Sequence, residues 1–428
     1  MFEIVKILCV LVSALIIGKT IKEDCSKAMA FALFAVWLRF ALSAFHEFTH
    51  EPLLAGLSIN ALGSIFVVIF GIIYLPTQSF LMRKLVPLYL FLFIIILSGL
   101  YNLLIIDLIN AIVKWAYFLV LALAILLAAR IHNLNSTLLT LLKAFYLPMG
   151  LLVLSIVLGE SKATEQDGSV SFIGGYSHEA TVSMVIISFA LIISLIDKTY
   201  LKYRTILFFF ALVLLYLVNY RTALIAVIPM ILVFIFTGTQ QKMPKKYHLA
   251  AFGCLSISVL IGFYIIAGNM SERFSDISLV LANWPELLKA PIYFSQSEKA
   301  IFSSRVYIWS QYVSEVYNSG MAQQIIGHGP ESWKGVFHIY AHNTYISYLY
   351  EYGYVGLCAF AVFIVSIFVN TLKIENAILR FMLLGSLLGF LTMNLATMPL
   401  WNIEGLITLA IIYSVVLACS QNKIVKVM

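Results

Sequence analysis

Residues 109–129 read INAIVKWAYFLVLALAILLAA, and Lys114 is the single charged side chain among them. A run of about 20 apolar residues is long enough to cross the ~30 Å hydrocarbon core of a bilayer as an α-helix. The run is continuous, whereas a strand of a membrane barrel alternates apolar and polar residues. Because a backbone in lipid must satisfy its own hydrogen bonds, this stretch predicts a membrane-spanning helix.

Similar apolar runs recur along the whole chain of 428 residues. The composition is 62% hydrophobic and 11% charged, whereas soluble domains contain about 25% charged residues. We therefore predict an all-α polytopic membrane protein of about 12–13 transmembrane helices, with residues 1–428 forming a single membrane domain. The predicted spans are 4–18, 28–45, 53–74, 85–100, 109–129, 138–159, 181–196, 206–218, 222–237, 249–267, 352–372, 381–397 and 404–420.

Lysine and arginine are concentrated in alternate connections between the spans, which indicates that those connections face the cytoplasm. Thirteen spans put the N-terminus outside and the C-terminus inside, whereas twelve put both termini inside. Residues 268–351 form the one long connection, and it is external under either count. We expect this loop to cap the membrane domain and to carry the active site. The net charge of +7 follows from topology, so it does not indicate nucleic-acid binding.

The sequence motifs give little support for a metal or another cofactor. CxxC, a Walker-type glycine loop and a DxD pair are all absent, and HEFTH at residues 46–50 is the one match to HExxH. His328, His338 and His342 lie close together in the long loop, but no cysteine or carboxylate accompanies them at metal-ligand spacing. The five cysteines lie outside that loop and imply no disulfide framework. We therefore predict that the protein uses no metal and no cofactor.

Two arginines in external positions are candidates for binding an anion. Arg221 interrupts an apolar hairpin, with Asn219 and Tyr220 as its polar neighbours. Arg305 opens the next candidate helix, where the helix dipole disfavours a cation and a nearby anion is expected. A guanidinium presents a fork of donors that matches phosphate oxygens. The alternatives are an interfacial anchor for Arg221 and a solvated surface residue for Arg305.

Residues 305–319 predict an amphipathic helix that lies on the membrane surface and acts as a movable lid. Ser303 or Ser304 can cap its start, and Gly320 can end it. Its predicted apolar face consists of residues at helical spacing, namely Val306, Trp309, Val313, Val316 and Tyr317.

His342 is the candidate general base. It precedes Asn343 and Thr344, either of which can cap the helix that runs into the next span. A helix N-terminus disfavours a cation, so it lowers the pKa of a nearby imidazole and leaves the ring able to accept a proton from a hydroxyl. A single histidine among aromatic residues is more often structural. Among charged residues at membrane depth, Arg39 and Lys143 are interpreted as snorkelling or structurally paired.

Residues 326–333, IGHGPESW, and residues 341–357, AHNTYISYLYEYGYVGL, are similar to the signature of the O-antigen ligase and polymerase superfamily. This superfamily comprises the Wzy and WaaL proteins of bacterial surface-polysaccharide assembly. Arg221, and Arg305 followed by Trp309, also stand where family members carry essential cations. The resemblance covers about residues 170–400. Matching positions in the two segments are Gly327, Gly329, Trp333, His342, Asn343, Tyr345, Leu349, Glu351, Gly353, Gly356 and Leu357.

One segment departs from the family pattern. Relatives often carry an arginine just before a glycine-rich turn in the preceding external loop, whereas residues 169–184 read SVSFIGGYSHEATVSM. His178, Glu179 or Lys162 would have to replace that arginine. Glu351 falls out of phase with His342 on a continuous helix, so we interpret it as a packing or loop-anchoring residue.

The resemblance implies a GT-C-like enzyme of the bacterial inner (plasma) membrane, with its active site facing the periplasm. Its reaction would be a metal-independent, inverting transfer of a glycan from undecaprenyl diphosphate to a sugar hydroxyl. His342 would be the catalytic base, and Arg221 and Arg305 would bind the diphosphate. His178, Lys114 and His328 are further candidates for binding substrate.

Within the superfamily, the turn GGYSHEA differs from the asparagine-rich turn associated with ligases and favours a polymerase. A polymerase joins lipid-linked repeat units and could pair with a chain-length regulator, whereas a ligase delivers the glycan to lipid A-core. A flippase for lipid-linked glycans is a further alternative, but transporters usually carry repeated halves and polar sites at the bilayer midplane. A structural scaffold would leave the histidine and the arginines without a role.

Overall fold

The computed structural model of the chain describes residues 2–54, 56–163, 170–240, 243–268 and 284–420. Its short strands form two antiparallel pairs, β1 (Pro52–Leu54) with β2 (Leu57–Ser58) and β3 (Lys162–Ala163) with β4 (Val170–Ser171). The helices are α1 Phe2–Asp24, α2 Lys27–Ala44, α3 His46–Thr49, α4 Ile59–Tyr74, α5 Thr77–Phe80, α6 Val86–Tyr101, α7 Ile105–His132, α8 Leu134–Leu142, α9 Tyr146–Leu158, α10 Glu179–Leu195, α11 Arg204–Val218, α12 Arg221–Gln240, α13 His248–Gly268, α14 Trp284–Leu287, α15 Gln296–Ala300, α16 Arg305–Asn318, α17 Met321–Ile326, α18 Thr344–Leu372, α19 Ala377–Ala396 and α20 Ile403–Cys419.

These helices confirm the predicted fold class. Each predicted span coincides with a helix or with a pair of consecutive helices. Among the described residues, eight helical segments are long and apolar enough to cross a membrane, and four shorter apolar helices accompany them. The chain is therefore an all-α polytopic membrane protein.

Two predicted spans are shortened or divided in the structure. The span expected at 53–74 begins only at Ile59, because the Ser58 hydroxyl accepts the backbone N–H of Ala61 at 3.2 Å and caps α4. The span expected at 138–159 is divided by a 3-10 turn at Lys143–Phe145. Pro148 lies in the first turn of α9, where it lacks the N–H that would continue α8 through this turn.

Helix α7 lies at the centre of the bundle, where it packs against α2, α4, α6 and α20. Next to it, Arg39 of α2 forms a buried ion pair with Glu404 of α20. The Arg39 Nε donates to Oε1 of Glu404 at 2.8 Å, and its Nη1 donates to Asn60 at 2.6 Å. The Ser43 hydroxyl completes the shell of Glu404 at 2.7 Å. Arg39 is thus a structural pair, as one of its two interpretations predicted.

Contacts between residues that are distant in sequence distinguish two ends of the bundle. On one face the Lys84 ammonium donates to the Ser420 hydroxyl at 2.7 Å. On the other face, which we call the site face, the Asn102 amide donates to the Gly327 carbonyl at 3.0 Å. On the same face, the Lys334 ammonium of the long connection donates to Asp107 of α7 at 3.1 Å.

Helix α18 begins at Thr344, eight residues before the predicted span, and it is kinked at Gly353 (φ 67°, ψ −171°). The assumption of a continuous helix from His342 through Glu351 is therefore wrong, because His342 precedes the helix. At the kink, the carbonyl of Tyr350 accepts the His328 N–H and that of Glu351 accepts the Gly329 N–H, both at 2.9 Å.

The glycines of the two signature segments make this contact possible. A Cβ on Gly327 would lie 2.3 Å from the Glu351 carbonyl oxygen, and one on Gly353 would lie 2.4 Å from the Ile325 carbonyl oxygen. The Ser98 hydroxyl also donates to the Glu351 carbonyl at 2.8 Å. The signature therefore fastens the long connection to α18 and α6. We call this contact the glycine junction.

Candidate active site

A cavity of about 790 Å³ opens on the site face. Four residues singled out from the sequence line it together, namely His178, Arg221, Arg305 and His342. They lie far apart in the sequence and reach the cavity on different helices. The remaining lining includes Lys162, Glu179, Asn219, Tyr220, Lys299, Gln311 and His338.

Four helices begin at this cavity. His178 is the N-cap residue of α10, Arg221 and Arg305 are the first residues of α12 and α16, and His342 directly precedes Asn343, the N-cap of α18. A helix N-terminus carries a partial positive charge and unpaired N–H groups, which favour anions. The cavity is thus built to hold negative charge.

The charged side chains at the cavity add to this positive field. Arg221, Arg305, Lys162 and Lys299 line it, against Glu179 as the single carboxylate in the described lining. Lys162 lies 3.7 Å from Glu179 and partly offsets it. The Arg305 guanidinium lies over the Phe302 ring at 5.3 Å, and no carboxylate of the described residues pairs with it.

The backbone that presents Arg305 is strained. Phe302, Ser303 and Ser304 have φ values of 55°, 52° and 64°, in the left-handed region that side chains with a Cβ avoid. Ser304 occupies the N-cap position of α16 but makes no side-chain capping bond, so the predicted serine cap is wrong. Consecutive strained residues of this kind are found mostly at functional sites.

Helix α16 packs against α18 through a different face from the predicted one. Val306, Ile308, Tyr312 and Val316 are buried, whereas Val313 is 47% exposed and Tyr317 is 79% exposed. The predicted face is wrong at these two exposed positions, because the buried residues recur every four residues from Ile308 onwards. The helix ends at Asn318, and Gly320 instead precedes α17.

The segment before α18 holds His342 against α16. Trp309 of α16 donates its indole N–H to the Ala341 carbonyl at 2.8 Å. The Asn343 side chain accepts the N–H groups of Tyr345 at 2.9 Å and Ile346 at 3.2 Å, which confirms the predicted cap. His342 itself has a φ of 50°, a further strained position.

His342 is held in its neutral form. Burial, followed by smaller contributions from Arg305 and His178, lowers its pKa to about 4. A ring with this pKa carries an unshared electron pair at neutral pH, so it can accept a proton. The direction of the shift matches the prediction, but burial, which the sequence does not show, is its largest cause.

The central part of the chain carries the family match. Residues 206–361 match the family model described as O-antigen ligase. The resemblance to the O-antigen ligase and polymerase superfamily is confirmed. This range includes Arg221, Arg305 and His342, together with the glycine junction, and it is shorter than the predicted 170–400. No curated protein matches the chain.

His178 lies before the O-antigen ligase match. Its Nδ1 accepts the Ala180 N–H at 3.0 Å, so the neutral ring carries its proton on Nε2. The neighbouring Tyr220 keeps its phenol proton, because burial raises its pKa to about 12. Both residues therefore offer hydrogen-bond donors at a cavity wall that also carries Arg305.

Two sequence candidates do not reach the cavity. His328 stacks on Tyr350 with ring centroids 4.5 Å apart, and its Nε2 lies 2.9 Å from the Ser319 hydroxyl. Lys114 pairs with Glu331 at 3.1 Å. Neither residue lines the cavity, so both contribute to the folding of the long connection.

Several residues that line this cavity or a smaller one beside it were not singled out from the sequence. Lys299, Tyr340 and Trp401 have no periodic pattern or motif that distinguishes them. Trp401 ends the 3-10 turn that begins at Pro399, and an aromatic residue in such a turn is the one available signal. Their positions follow from tertiary packing.

Proposed function

We propose that this protein transfers a glycan from undecaprenyl diphosphate to the hydroxyl of an acceptor sugar. The observation that carries the proposal is the meeting of Arg221, Arg305 and His342 at one cavity where four helices begin. A departing diphosphate needs positive charge aimed at its oxygens, and an attacking alcohol needs a base. The family match supports glycosyl transfer in general.

In the proposed reaction the acceptor hydroxyl attacks the anomeric carbon of the donor sugar. A new C–O bond forms on one face as the C–O bond to the diphosphate breaks on the other, so the anomeric centre inverts. The hydroxyl proton passes to His342, and undecaprenyl diphosphate leaves with its electron pair. Arg221 and Arg305 stabilise the negative charge that develops on the leaving oxygen.

The pKa of His342 should be higher when the donor is bound than when it is not. Burial and the charges of Arg305 and His178 cause the value of about 4. A bound diphosphate offsets the charge of Arg305, so the proton affinity of His342 rises once the donor is in place. The base then gains strength at the stage where it is needed.

We assign the site face to the periplasmic side of the inner membrane. The opposite face carries most of the short-loop lysines and arginines, which favours the cytoplasm for that face. The polyprenyl tail would lie in the bilayer beside the apolar helices, with its diphosphate at the cavity.

The preferred acceptor is a second lipid-linked repeat unit, which makes the protein a polymerase. The turn GGYSHEA supports this choice. Gly174 and Gly175 adopt φ values of 59° and 80°, and the turn ends in the His178 cap of α10. No arginine is contributed by this turn. The second candidate is a ligase that transfers the glycan to lipid A-core, as the description of the matching family favours.

A deletion strain tests the function and separates the two candidates. Single-repeat glycan on lipid A-core indicates a lost polymerase, whereas bare lipid A-core with polymer retained on the lipid carrier indicates a lost ligase. Complementation with the unaltered gene should restore the profile, and complementation with His342→Ala should not. An unchanged glycolipid profile after deletion contradicts the proposal.

A further inference from the structure

A second cavity, of about 300 Å³, adjoins the first and has a different set of lining residues. It lies between the start of α10, the segment before α18 and the turn that joins α19 to α20. His178, Tyr220, Arg305 and His342 line both cavities. The two spaces therefore meet at the proposed base, and we call the second one the aromatic cavity.

Aromatic rings form one wall of the aromatic cavity. The rings of Tyr340 and Trp401 lie 5.1 Å apart with an interplanar angle of 38°. The Tyr340 ring also lies 4.0 Å from the His342 ring. Trp333 supports this wall from outside the cavity, at 5.7 Å from Trp401 and 5.9 Å from Tyr340. Lys114 lies over the Trp401 ring at 5.9 Å.

The rest of the lining is polar or apolar but carries little charge. Arg305 is the one arginine or lysine in the described lining, whereas the larger cavity has four such cations. Asn402 is the N-cap residue of α20, yet its side chain makes no capping bond, which leaves its amide available at the cavity. Thr397 adds a hydroxyl to the lining.

This combination of groups suits an uncharged sugar ring. A pyranose has apolar C–H faces that pack on aromatic rings and hydroxyl edges that need donors and acceptors. The volume is at the lower end of the range for ligand pockets, so it suits one small ring rather than a chain. A diphosphate, by contrast, is favoured in the larger cavity by its four cations.

We propose that the aromatic cavity binds one sugar ring of the acceptor, stacked on Tyr340 and Trp401, with the reacting hydroxyl directed to His342. This inference rests on the proposed glycosyl transfer. Inverting displacement requires the acceptor to approach from the side opposite the leaving diphosphate. Two cavities that meet at His342 provide those two sides. Trp401 lies outside the family match at residues 206–361.

Binding measurements on the purified full-length protein in lipid nanodiscs test this assignment. One probe is the repeat-unit oligosaccharide released by mild acid from the surface polysaccharide of the source cells. The other probe is undecaprenyl diphosphate. We expect Trp401→Ala to weaken oligosaccharide binding about tenfold, which corresponds to about 1.4 kcal/mol, and to change undecaprenyl diphosphate binding less than twofold.

Three further variants separate stacking from damage to the fold. Trp401→Phe keeps an aromatic face and should restore most of the oligosaccharide binding. Trp333→Phe alters the same aromatic cluster at a residue outside the cavity lining and keeps an aromatic ring against the wall, so it should leave both probes unaffected. Asn402→Ala should weaken the oligosaccharide alone, because it removes an amide from the rim without altering the aromatic wall.

The outcomes also distinguish this inference from the proposed function. If Trp401→Ala and Asn402→Ala bind the oligosaccharide as the unaltered protein does, the acceptor assignment is wrong even where transfer is intact. If they weaken undecaprenyl diphosphate binding instead, the aromatic cavity holds the lipid. If oligosaccharide binding depends on Trp401 but the unaltered protein transfers no glycan from its native donor, the sugar site stands and the proposed function fails.

Discussion

Arg221 and Arg305 share an unusual position, because each is the first residue of a helix. The helix dipole disfavours a cation there by about 0.3–1 kcal/mol. The same position favours an anion that contacts both the guanidinium and the helix N-terminus. Under the proposed function, the unfavourable position of each arginine at its helix start is offset when a phosphate group binds there.

The fork of the guanidinium is the feature to test. Arg221→Lys and Arg305→Lys keep the positive charge but lose the paired donors that match phosphate oxygens. We expect both variants to bind undecaprenyl diphosphate about tenfold more weakly and to transfer glycan more slowly. Lys299→Arg is the matched control, since it keeps a cation at the same cavity. Equal binding by all three variants and the unaltered protein would exclude a bidentate contact.

His342 should affect turnover rather than donor binding. His342→Ala removes the proposed base, a change that typically lowers the rate about 10²–10⁴-fold, but it leaves both arginines in place. His338→Ala is the control, because His338 lines the larger cavity without preceding a helix cap. Single-turnover transfer and undecaprenyl diphosphate binding are measured for both variants. A large rate loss for His338→Ala alone would transfer the role of base to His338.

The pKa of His342 predicts the acid limb of the pH profile. Burial, Arg305 and His178 together lower its pKa to about 4, and burial is the largest of these causes. The ring is neutral above this pKa, so kcat/KM should stay constant down to about pH 5 and fall tenfold per pH unit below about pH 4.

Arg305→Gln removes a positive charge near His342, so its acid limb should move to higher pH even though its rate is lower. Lys162→Gln is the control, because Lys162 is not among the groups that shift the pKa of His342. This variant should leave the acid limb in place. An acid limb that stays fixed in both variants would show that another group controls it.

At the scale of elements, the glycine junction explains why the two signature segments occur together. Gly327 and Gly329 have φ values of 79° and 96°, and the kink at Gly353 directs the carbonyls of Tyr350 and Glu351 to them. The junction fixes the point at which the long connection crosses the kink of α18. It thereby determines the path of residues 328–343, which include His342.

Gly327→Ala tests the junction, and Gly335→Ala is its matched control. Both glycines have φ near 80°, but a Cβ on Gly327 would lie 2.3 Å from backbone atoms, whereas nothing lies within 4 Å of one on Gly335. Gly335→Ala should cost only the backbone term of about 1 kcal/mol. Gly327→Ala should lower the midpoint of thermal unfolding by several degrees more and should abolish transfer. Equal destabilisation would mean that the close contact is unimportant.

The sequence predicted elements better than contacts between them. Apolar runs identified every span, because the bilayer demands length and continuity from each helix separately. The face of α16 was partly wrong, since Val313 and Tyr317 satisfy helical spacing but point away from α18. His328 lies in the signature, but its backbone N–H, which donates to the Tyr350 carbonyl, accounts for its position there, and its ring chemistry does not. Local patterns do not distinguish these cases.

For the whole molecule, the site depends on helices that are distant in sequence. His178, Arg221, Arg305 and His342 meet because the starts of α10, α12, α16 and α18 share the site face. The sequence identified the last three residues as candidates. That they meet at one cavity follows only from the packing of the helix bundle. The aromatic cavity was not predicted at all, because Tyr340 and Trp401 belong to separate connections.

The whole assembly works as proposed only if the site face is outside the cytoplasm, and thiol labelling can decide this. The native cysteines are first replaced by serine, since Cys254 and Cys358 are exposed on their helices. A single cysteine is then introduced as Ser297→Cys on the site face or as Pro244→Cys on the opposite face. Both positions are exposed, so either thiol is accessible to a reagent that reaches its side.

In whole cells whose outer membrane has been made permeable, a membrane-impermeant maleimide should modify the cysteine at position 297 and spare the one at position 244. Disrupting the inner membrane should make both react equally, which controls for local accessibility. The cysteine-free protein must still restore the glycolipid profile of the deletion strain, so that the labelled fold is the active one. The reverse pattern would place His342 and both arginines in the cytoplasm. The lipid-linked donor would then have to be used before it crosses the membrane, and assembly at the outer face could not be the function.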